Sequence, residues 1–485
     1  MAQPQDQLGS RIVRGGAWTA ARQGVQQVCS LASLVIVARL VPPVEVGLFS
    51  MAMLVLSITR ALTETGFEQA LIQRKELDDA ILDVGYSAVL LRSAAVALVM
   101  AAGAGLFARF FAEPRVADLL RVLALGVLLE GFVNNRVLMS QRELDFRRYF
   151  FFHAAGQLVQ LCVTIVSAWL RHDVWSVVHG QLAGAAARVV ASYVLDARRP
   201  RWHFSGPLVR ELLGYGRWVS ASSLLLFLLV NGDNLFVGKV IGAAALAYYA
   251  WAYQLANLPA LFITQILSSV MFPALASVRA DPARTGQLFL RSMRLTWLLS
   301  LPSALLIAAL AKPFTLALLG ERWLPIVPIA HALVGFGLLR AVGASAGALF
   351  LALGRPDLRA KVQLAQLAVF ALSIYPLYHR YDVLGVAASV TLYSLLNVWA
   401  AYLAFRLCEV PMRALGQPSL AATIASLGGC AAAILCAHAL EGHAWPALLL
   451  GSAVGVLSTL LLLHWLDSSG ELRQAVRALR RLRPS

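Results

Sequence analysis

From Gly16 to Leu466 the chain is a succession of apolar stretches, each long enough to cross hydrocarbon, joined by short connections that carry charge, proline or glycine. A helical crossing needs about 20 apolar residues, and within a bilayer only helices and closed barrels satisfy their own backbone hydrogen bonds. Runs of this length read as helices rather than strands. The pattern therefore predicts an all-α polytopic membrane protein with about fourteen transmembrane helices. They are expected at 16–40, 46–72, 81–108, 117–140, 149–170, 174–195, 214–238, 244–278, 287–311, 324–351, 362–379, 383–405, 419–440 and 445–466. With 59% of the residues hydrophobic and only 14% charged, no soluble class fits.

The basic residues give an orientation. With the N-terminus inside, nine Lys and Arg fall on outer connections (Arg39, Arg109, Arg115, Arg121, Arg171, Lys239, Lys312, Arg322 and Arg380). Seven more are in spans, and the rest of the 41 are on inner connections and tails, so both termini are expected in the cytoplasm. A net charge of +16 could suggest nucleic acid, but it is spread over many short loops with no reader motif, so no nucleic-acid partner is expected. The basic C-terminal stretch ELRQAVRALRRLRPS is expected to lie against anionic headgroups of membrane lipids. The N-terminus lacks the apolar core and cleavage site of a removable signal peptide. Five scattered cysteines and nine isolated histidines show no metal-ligand spacing, and neither a metal nor another cofactor is expected.

The chain also repeats loosely. The segment from Val37, VARLVPPVEVGLFSMAMLV, is echoed from Val237 by VGKVIGAAALAYYAWAYQL. QRELDFRRY after the fourth span is similarly echoed by GRPDLRAKV after the tenth. Six spans separate corresponding points, so both halves start on the same face. This implies two six-helix lobes related by a parallel pseudo-two-fold, with a site between them. The expected organisation is an N-terminal lobe at 1–195, a cytoplasmic linker at 196–213, a C-terminal lobe at 214–407, two additional helices at 408–467 and a basic tail at 468–485.

Charged side chains inside spans are costly, roughly 2.5 to 3.5 kcal/mol each at the bilayer centre, and so mark partners or water-filled paths. Seven arginines qualify: Arg22, Arg60, Arg92, Arg136, Arg188, Arg217 and Arg340. An arginine-lined path suits an anionic cargo. Arg22 lies in a polar stripe with Thr19, Gln23, Gln26, Gln27, Ser30 and Ser33 on one helical face. Such a stripe suits either a cavity wall or helix-helix hydrogen bonding, and the arginine within it favours the cavity. Arg60, Glu64 and Glu68 share a face at i, i+4 and i+8, which allows an Arg60–Glu64 pair. Glu64, Glu68, Glu130 and Asp233 are the in-span acids that could carry a coupling proton, because desolvation raises an unpaired carboxyl's affinity for it. Arg136 and Arg217, near cytoplasmic ends, are expected to snorkel to the headgroups. Arg92, Arg188 and Arg340 have no partner legible in the sequence.

In the eighth span, Tyr248, Tyr249 and Trp251 fit an interfacial aromatic belt, whereas Tyr253, Gln254 and Asn257 lie deeper and suit sugar rings. Pro259, Pro273, Pro302, Pro325, Pro328 and Pro376 fall in later spans and none in the first six, so the second half is expected to bend more.

Several unlinked motifs, in order, carry a family resemblance. They are ARLVPPVEVGLFSMAM with LTETGFEQALIQR, RVLALGVLLEGFVNNRVLMSQRELDFRR, NGDNLFVGKVIGAAALAYYAWAYQLANLP, FPALASVRADPAR, LLGERWLPIVPI and GALFLALGRPDL. Together they resemble the polysaccharide transporter (Wzx-type) branch of the MOP flippase superfamily. The resemblance implies a fourteen-helix alternating-access transporter of the bacterial inner membrane, driven by an ion gradient or the membrane potential. Its cargo would be an undecaprenyl-pyrophosphate-linked oligosaccharide for exopolysaccharide, capsule or O-antigen, handed on to other polysaccharide-assembly proteins. On this reading Arg22 and Arg60 face the pyrophosphate, and Gln26, Asn231, Asn234, Lys239, Tyr253, Gln254 and Asn257 complete the substrate-binding set. Two positions depart from the family pattern: Val230 stands where arginine is expected before Asn231, and Lys239 stands where arginine is expected after Gly238, exchanging a planar fork for a point charge. The competing readings are a small-molecule or drug exporter of the same fold, which should not carry an excess of in-span arginine, and a polytopic glycosyltransferase or polymerase, for which no large extramembrane segment is present.

Overall fold

A backbone surrounded by hydrocarbon has to close its hydrogen bonds within each crossing, and this chain does so with helices. A computed structural model describes residues 4–63, 79–140, 145–196, 198–203, 223–224, 227–278 and 281–466, and no strand occurs among them. Ten helices are long and apolar enough to cross a membrane: those within Ala17–Leu40, Pro43–Leu62, Leu82–Phe111, Phe146–Arg171, Pro282–Leu319, Ile326–Ala352, Pro356–Tyr381, Val383–Leu407, Ser419–Ala439 and Ala444–Leu466. The four other expected spans are occupied by helices Arg115–Gly131, Trp175–Leu195 and Ala243–Ser277 and by the helical residues 227–240. The protein is thus an all-α, multi-pass membrane protein.

Two compact units divide it, Met1–Ala247 and Tyr248–Ser485. The boundary falls early in helix Ala243–Ser277, so residues 227–240 are grouped with the first unit.

In the first unit, small residues bring neighbouring helices close. Helices Phe146–Arg171 and Trp175–Leu195 form an antiparallel hairpin turned at His172, whose φ of 56° is left-handed. A Cβ on Gly180 would overlap Thr164 Oγ1 and come within 2.9 Å of the Gln160 carbonyl, and one on Gly184 would come within 2.8 Å of Gln160 Cβ. Without a hydrophobic drive between helices in lipid, this close approach of backbones is what holds such a pair.

Three helices of this unit are tied together at their N-termini. Glu45, in the first turn of helix Pro43–Thr63, accepts both Arg115 Nη1 and Nη2 at 2.7 Å and the backbone N–H of Val174 at 3.1 Å. A carboxylate in a first helical turn complements the helix dipole, and the two-pronged arginine contact fixes its orientation.

The fourth expected span ends early. Its helix stops at Gly131 rather than continuing to 140, and a short turn, Arg136–Met139, follows. The reason is side-chain competition with the helix ladder. Asn134 Nδ2 donates to the Arg198 carbonyl at 2.8 Å, the Asn134 N–H donates to Ser192 Oγ at 3.0 Å, and Asn135 Nδ2 donates to the Leu82 carbonyl at 2.7 Å.

The second unit buries Leu275, Phe289, Met293, Val342, Phe350 and Phe405 in one cluster, with the Phe289 and Phe405 rings 5.0 Å apart. Trp297 Nε1 donates to Thr423 Oγ1 at 3.1 Å, and Arg294 Nη2 to the Ala414 carbonyl at 2.7 Å, tying helix Pro282–Phe314 to the segment that opens the last pair of helices. Pro302, Pro313 and Pro376 lie inside helices. Pro325 and Pro328 do not interrupt one: Pro325 caps helix Ile326–Ala352 and Pro328 sits in its first turn, where a missing N–H costs nothing because no intrahelical acceptor exists. Helix Ala243–Ser277 runs on through positions 259 and 273.

The hairpin packing gives a stability prediction. Gly180→Ala is expected to lower the thermal midpoint in detergent, at a cost of ~1–3 kcal/mol for forced overpacking. Gly24→Ala, where an added Cβ meets nothing within 4 Å, is expected to leave it unchanged or raised. Equal midpoints for the two variants would contradict the close-packed hairpin.

Candidate functional site

Placing a cation inside a membrane protein requires a partner, and the first unit supplies one carboxylate for two guanidiniums. Arg60 Nη2 lies 2.6 Å from Glu130 Oε2, and Arg188 Nη2 lies 3.0 Å from Glu130 Oε1. Each oxygen thus serves a different arginine. The three side chains come from helices Pro43–Thr63, Arg115–Gly131 and Trp175–Leu195, and they are 50%, 37% and 20% exposed for Arg60, Glu130 and Arg188. Glu130 sits in the last turn of its helix, where the dipole disfavours a negative charge; two guanidiniums offset that.

Arg188 reaches Glu130 by lying across a glycine. A Cβ on Gly156 would overlap the Arg188 Cγ, so the aliphatic stem rests directly on the backbone of helix Phe146–Arg171. One helical turn back on that helix stands His153. Its ring packs edge-on against Tyr149 at 4.4 Å, and the Arg22 guanidinium stands over the Tyr149 ring at 5.6 Å. Arg22 Nη1 also donates to Gln26 at 3.3 Å, and no carboxylate pairs with Arg22 among the described residues. Helix Phe146–Arg171 thus carries Tyr149 and His153 beside Arg22 and Gly156 beneath Arg188, and Arg188 in turn meets Glu130 and Arg60. The turn that sets Glu130 is the asparagine-anchored one, because Asn134 and Asn135 fix the chain four and five residues further on.

The other residues singled out in the sequence fall as follows. Glu64 and Glu68 lie outside the described residues, as does Arg217, and the partner seen for Arg60 is Glu130, 70 positions away. Arg136 does not snorkel: its side chain is only 8% exposed and its Nη2 lies 3.7 Å from Asp83, because the early helix end turns it into the protein. Arg92 is half-buried in helix Asp79–Phe111. Asp233 and Asn234 are buried, with Asp233 Oδ1 accepting the Asn234 N–H at 2.8 Å and its Nδ2 at 3.1 Å, while Asn231 Nδ2 donates to the Phe227 carbonyl at 3.4 Å. Lys239 is exposed and stands 5.0 Å from the Phe110 ring centre.

In the second unit, Arg340 Nη1 donates to the Tyr253 hydroxyl at 2.8 Å and stands 5.7 Å from the Phe336 ring. Asn257 is 7% exposed, and its Oδ1 has no hydrogen-bond partner among the described residues; Gln254 is exposed. The interfacial-belt expectation needs correction. Tyr249 is fully buried and Trp251 stacks on the buried Trp323 at 3.9 Å, so these rings pack within the unit instead of facing headgroups. Tyr248 donates its hydroxyl to the Arg322 carbonyl at 3.2 Å.

Sequence reasoning named Arg188 and Glu130 but could not join them, and it did not find His153, Tyr149, Glu45 or the two asparagines. The asparagine pair had one local signal, two adjacent amides interrupting an apolar run. Chemically, guanidiniums in excess over carboxylate bind multiply charged oxyanions through short, charge-assisted hydrogen bonds, and the neighbouring rings and amides suit hydroxylated rings.

Residues 36–328 match the family described as polysaccharide biosynthesis protein. The chain is 25% identical over 397 residues to the lipopolysaccharide biosynthesis protein WzxC of Escherichia coli (strain K12), covering 81% of each chain. It is 25% identical over 338 residues to the teichuronic acid biosynthesis protein TuaB of Bacillus subtilis (strain 168), covering 69% of this chain and 70% of TuaB. In three dimensions it is similar to the lipid II flippase MurJ in an inward closed conformation, with a TM-score of 0.75 over 94% of this chain and 99% of MurJ at 13% identity. It is also similar to an inward-facing multidrug resistance MATE family transporter of the MOP superfamily, with a TM-score of 0.64 over 79% and 94% of the two chains at 16% identity. At these identities the likeness establishes a shared fold.

The asparagine anchor is testable. Asn134→Ala is expected to lower the thermal midpoint, because it strips the Arg198 carbonyl of its donor at a cost of ~1–3 kcal/mol. An unchanged midpoint would show that the turn behind Glu130 is held by other groups.

Proposed function

Since the chain belongs to the polysaccharide biosynthesis protein family, we propose that it moves an undecaprenyl-pyrophosphate-linked oligosaccharide across the bacterial inner membrane, for exopolysaccharide, capsule or O-antigen assembly. The observation that carries this reading is the pair of in-span guanidiniums, Arg60 and Arg188, brought together on Glu130. A pyrophosphate cannot enter hydrocarbon unaided, and a site with surplus guanidinium offsets its charge. In the topology inferred from the basic residues, these side chains lie toward the cytoplasmic ends of their helices, the side on which such a cargo is made.

The roles follow from position. Arg22, Arg60 and Arg188 bind the phosphates. Gln26, Tyr149 and His153 line the same face and meet the first sugars. Asn231, Asn234, Lys239, Tyr253, Gln254 and Asn257 are assigned to the glycan as it passes. Asp233, Glu64 and Glu68 are the carboxyls from which a coupling proton is drawn, with an ion gradient or the membrane potential as the driving force; Glu130, paired with two guanidiniums, is not among them. No covalent bond changes, so the protein is a transporter and not an enzyme. Both termini face the cytoplasm, and the delivered intermediate passes to polysaccharide-assembly partners.

A small-molecule exporter of the same fold is the second reading, favoured by the likeness to the MATE transporter. The surplus of guanidinium disfavours it, because a cationic drug would be repelled.

Deleting the gene is expected to abolish surface polymer and accumulate lipid-linked oligosaccharide facing the cytoplasm. Normal polymer with unchanged intermediates would overturn the reading. In the complemented strain, Arg60→Gln and Arg188→Gln are each expected to reduce polymer export roughly tenfold or more at equal protein level, since each removes a charge-assisted phosphate contact. Gly24→Ala is expected to export normally.

A further inference from the structure

A carboxylate that offers one oxygen to each of two guanidiniums has the arrangement a phosphate would adopt between them. Glu130 does this with Arg60 at 2.6 Å and Arg188 at 3.0 Å. We propose that Glu130 is a built-in counter-ion that holds the anion position between Arg60 and Arg188 while the protein is unloaded, and that cargo phosphate takes its place. The inference rests on reading the cluster as the phosphate site.

Three features support displacement over a permanent ion pair. First, the two contacts are not equally buried: Glu130 is 37% exposed and Arg60 50%, whereas Arg188 is 20% exposed and its stem is seated on Gly156. The fixed member is therefore Arg188, and Glu130 is less enclosed than it. Second, Glu130 lies in the last turn of its helix, one residue before its end at Gly131, and the dipole of that helix opposes a negative charge there. Third, an anion carrying two or more charges gains more between two guanidiniums than the single charge of Glu130 does.

Two consequences follow. The counter-ion lowers the desolvation cost of the empty site, since two guanidiniums without any anion would be strongly unfavourable there. It also sets a threshold, because an incoming anion has to out-compete an attached carboxylate. Pyrophosphate does so readily and singly charged anions poorly, which makes Glu130 a specificity-determining residue. On release, the carboxylate returns and displaces the departing phosphate.

The test uses the full-length protein in lipid nanodiscs, with inorganic pyrophosphate and inorganic phosphate as probes, read by calorimetry. Glu130→Gln, which keeps the side chain's size and removes its charge, is expected to tighten pyrophosphate binding about tenfold and phosphate binding by at least as much, so that discrimination between them narrows. Arg188→Gln added to Glu130→Gln is expected to reverse the gain. Export by Glu130→Gln is expected to fall despite tighter binding, since release slows. If Glu130→Gln fails to fold, Glu130→Asp serves: it keeps the charge, draws the carboxylate back from both arginines, and is expected to tighten pyrophosphate binding about threefold. Unchanged or weaker binding in whichever variant folds would make Glu130 a structural partner only and overturn the counter-ion role, while wild-type binding would still stand. Wild-type protein that binds no pyrophosphate would overturn the phosphate reading of the cluster as well.

Discussion

The ion bridge from Arg60 through Glu130 to Arg188 is what the first unit is organised around. A guanidinium within a membrane span is costly alone, and a carboxylate is equally so. Bringing them together lowers both costs, but only if three helices arrive in register. Glu45 provides part of that register: by holding Arg115 and the Val174 N–H it ties the starts of the same three helices whose far ends carry Arg60, Glu130 and Arg188. Fixed starts and defined helix lengths place the three charges at one depth.

The other requirement is a helix that stops in time. Had helix Arg115–Gly131 continued, as an apolar run ordinarily would, Asn134 and Asn135 would have met lipid or packed side chains with their amides unpaired. Instead they leave the helix and bond carbonyls at Arg198 and Leu82. The same turn swings Arg136 inward to Asp83. One local choice thus sets the end position of Glu130 and buries a second arginine.

The crossings themselves were legible, because a run of about 20 apolar residues has few alternatives in a bilayer. Helices such as Pro356–Tyr381 and Ala444–Leu466 fall within a few residues of where hydropathy puts them. The partners of charged residues were less so. Helical spacing places Arg60 next to Glu64, which lies outside the described residues; the partner described for Arg60 is Glu130, 70 positions on, and nothing in between announces that contact. Depth is also hard to read where it depends on packing: Arg136 is close to a span's end and Tyr249 and Trp251 to a span's start, yet a helix break turns Arg136 inward, Tyr249 is fully buried and Trp251 stacks on Trp323. Periodicity reports which residues share a face of one helix. It does not report which other helix that face meets.

The two units treat their in-span arginines differently, and the difference bears on what each can do. In the first, Arg60 and Arg188 are matched by a carboxylate, a partner that another anion can replace by direct competition. In the second, Arg340 is matched by the Tyr253 hydroxyl and the Phe336 ring, and no carboxylate pairs with it among the described residues. A phenol and an aromatic face stabilise a guanidinium without neutralising it. Arg340 is thus held by groups that carry no charge of their own, whereas Arg60 and Arg188 meet a charged one. On the proposed reading, an anion at the first cluster competes with Glu130, and one at Arg340 meets no competing carboxylate among the described residues.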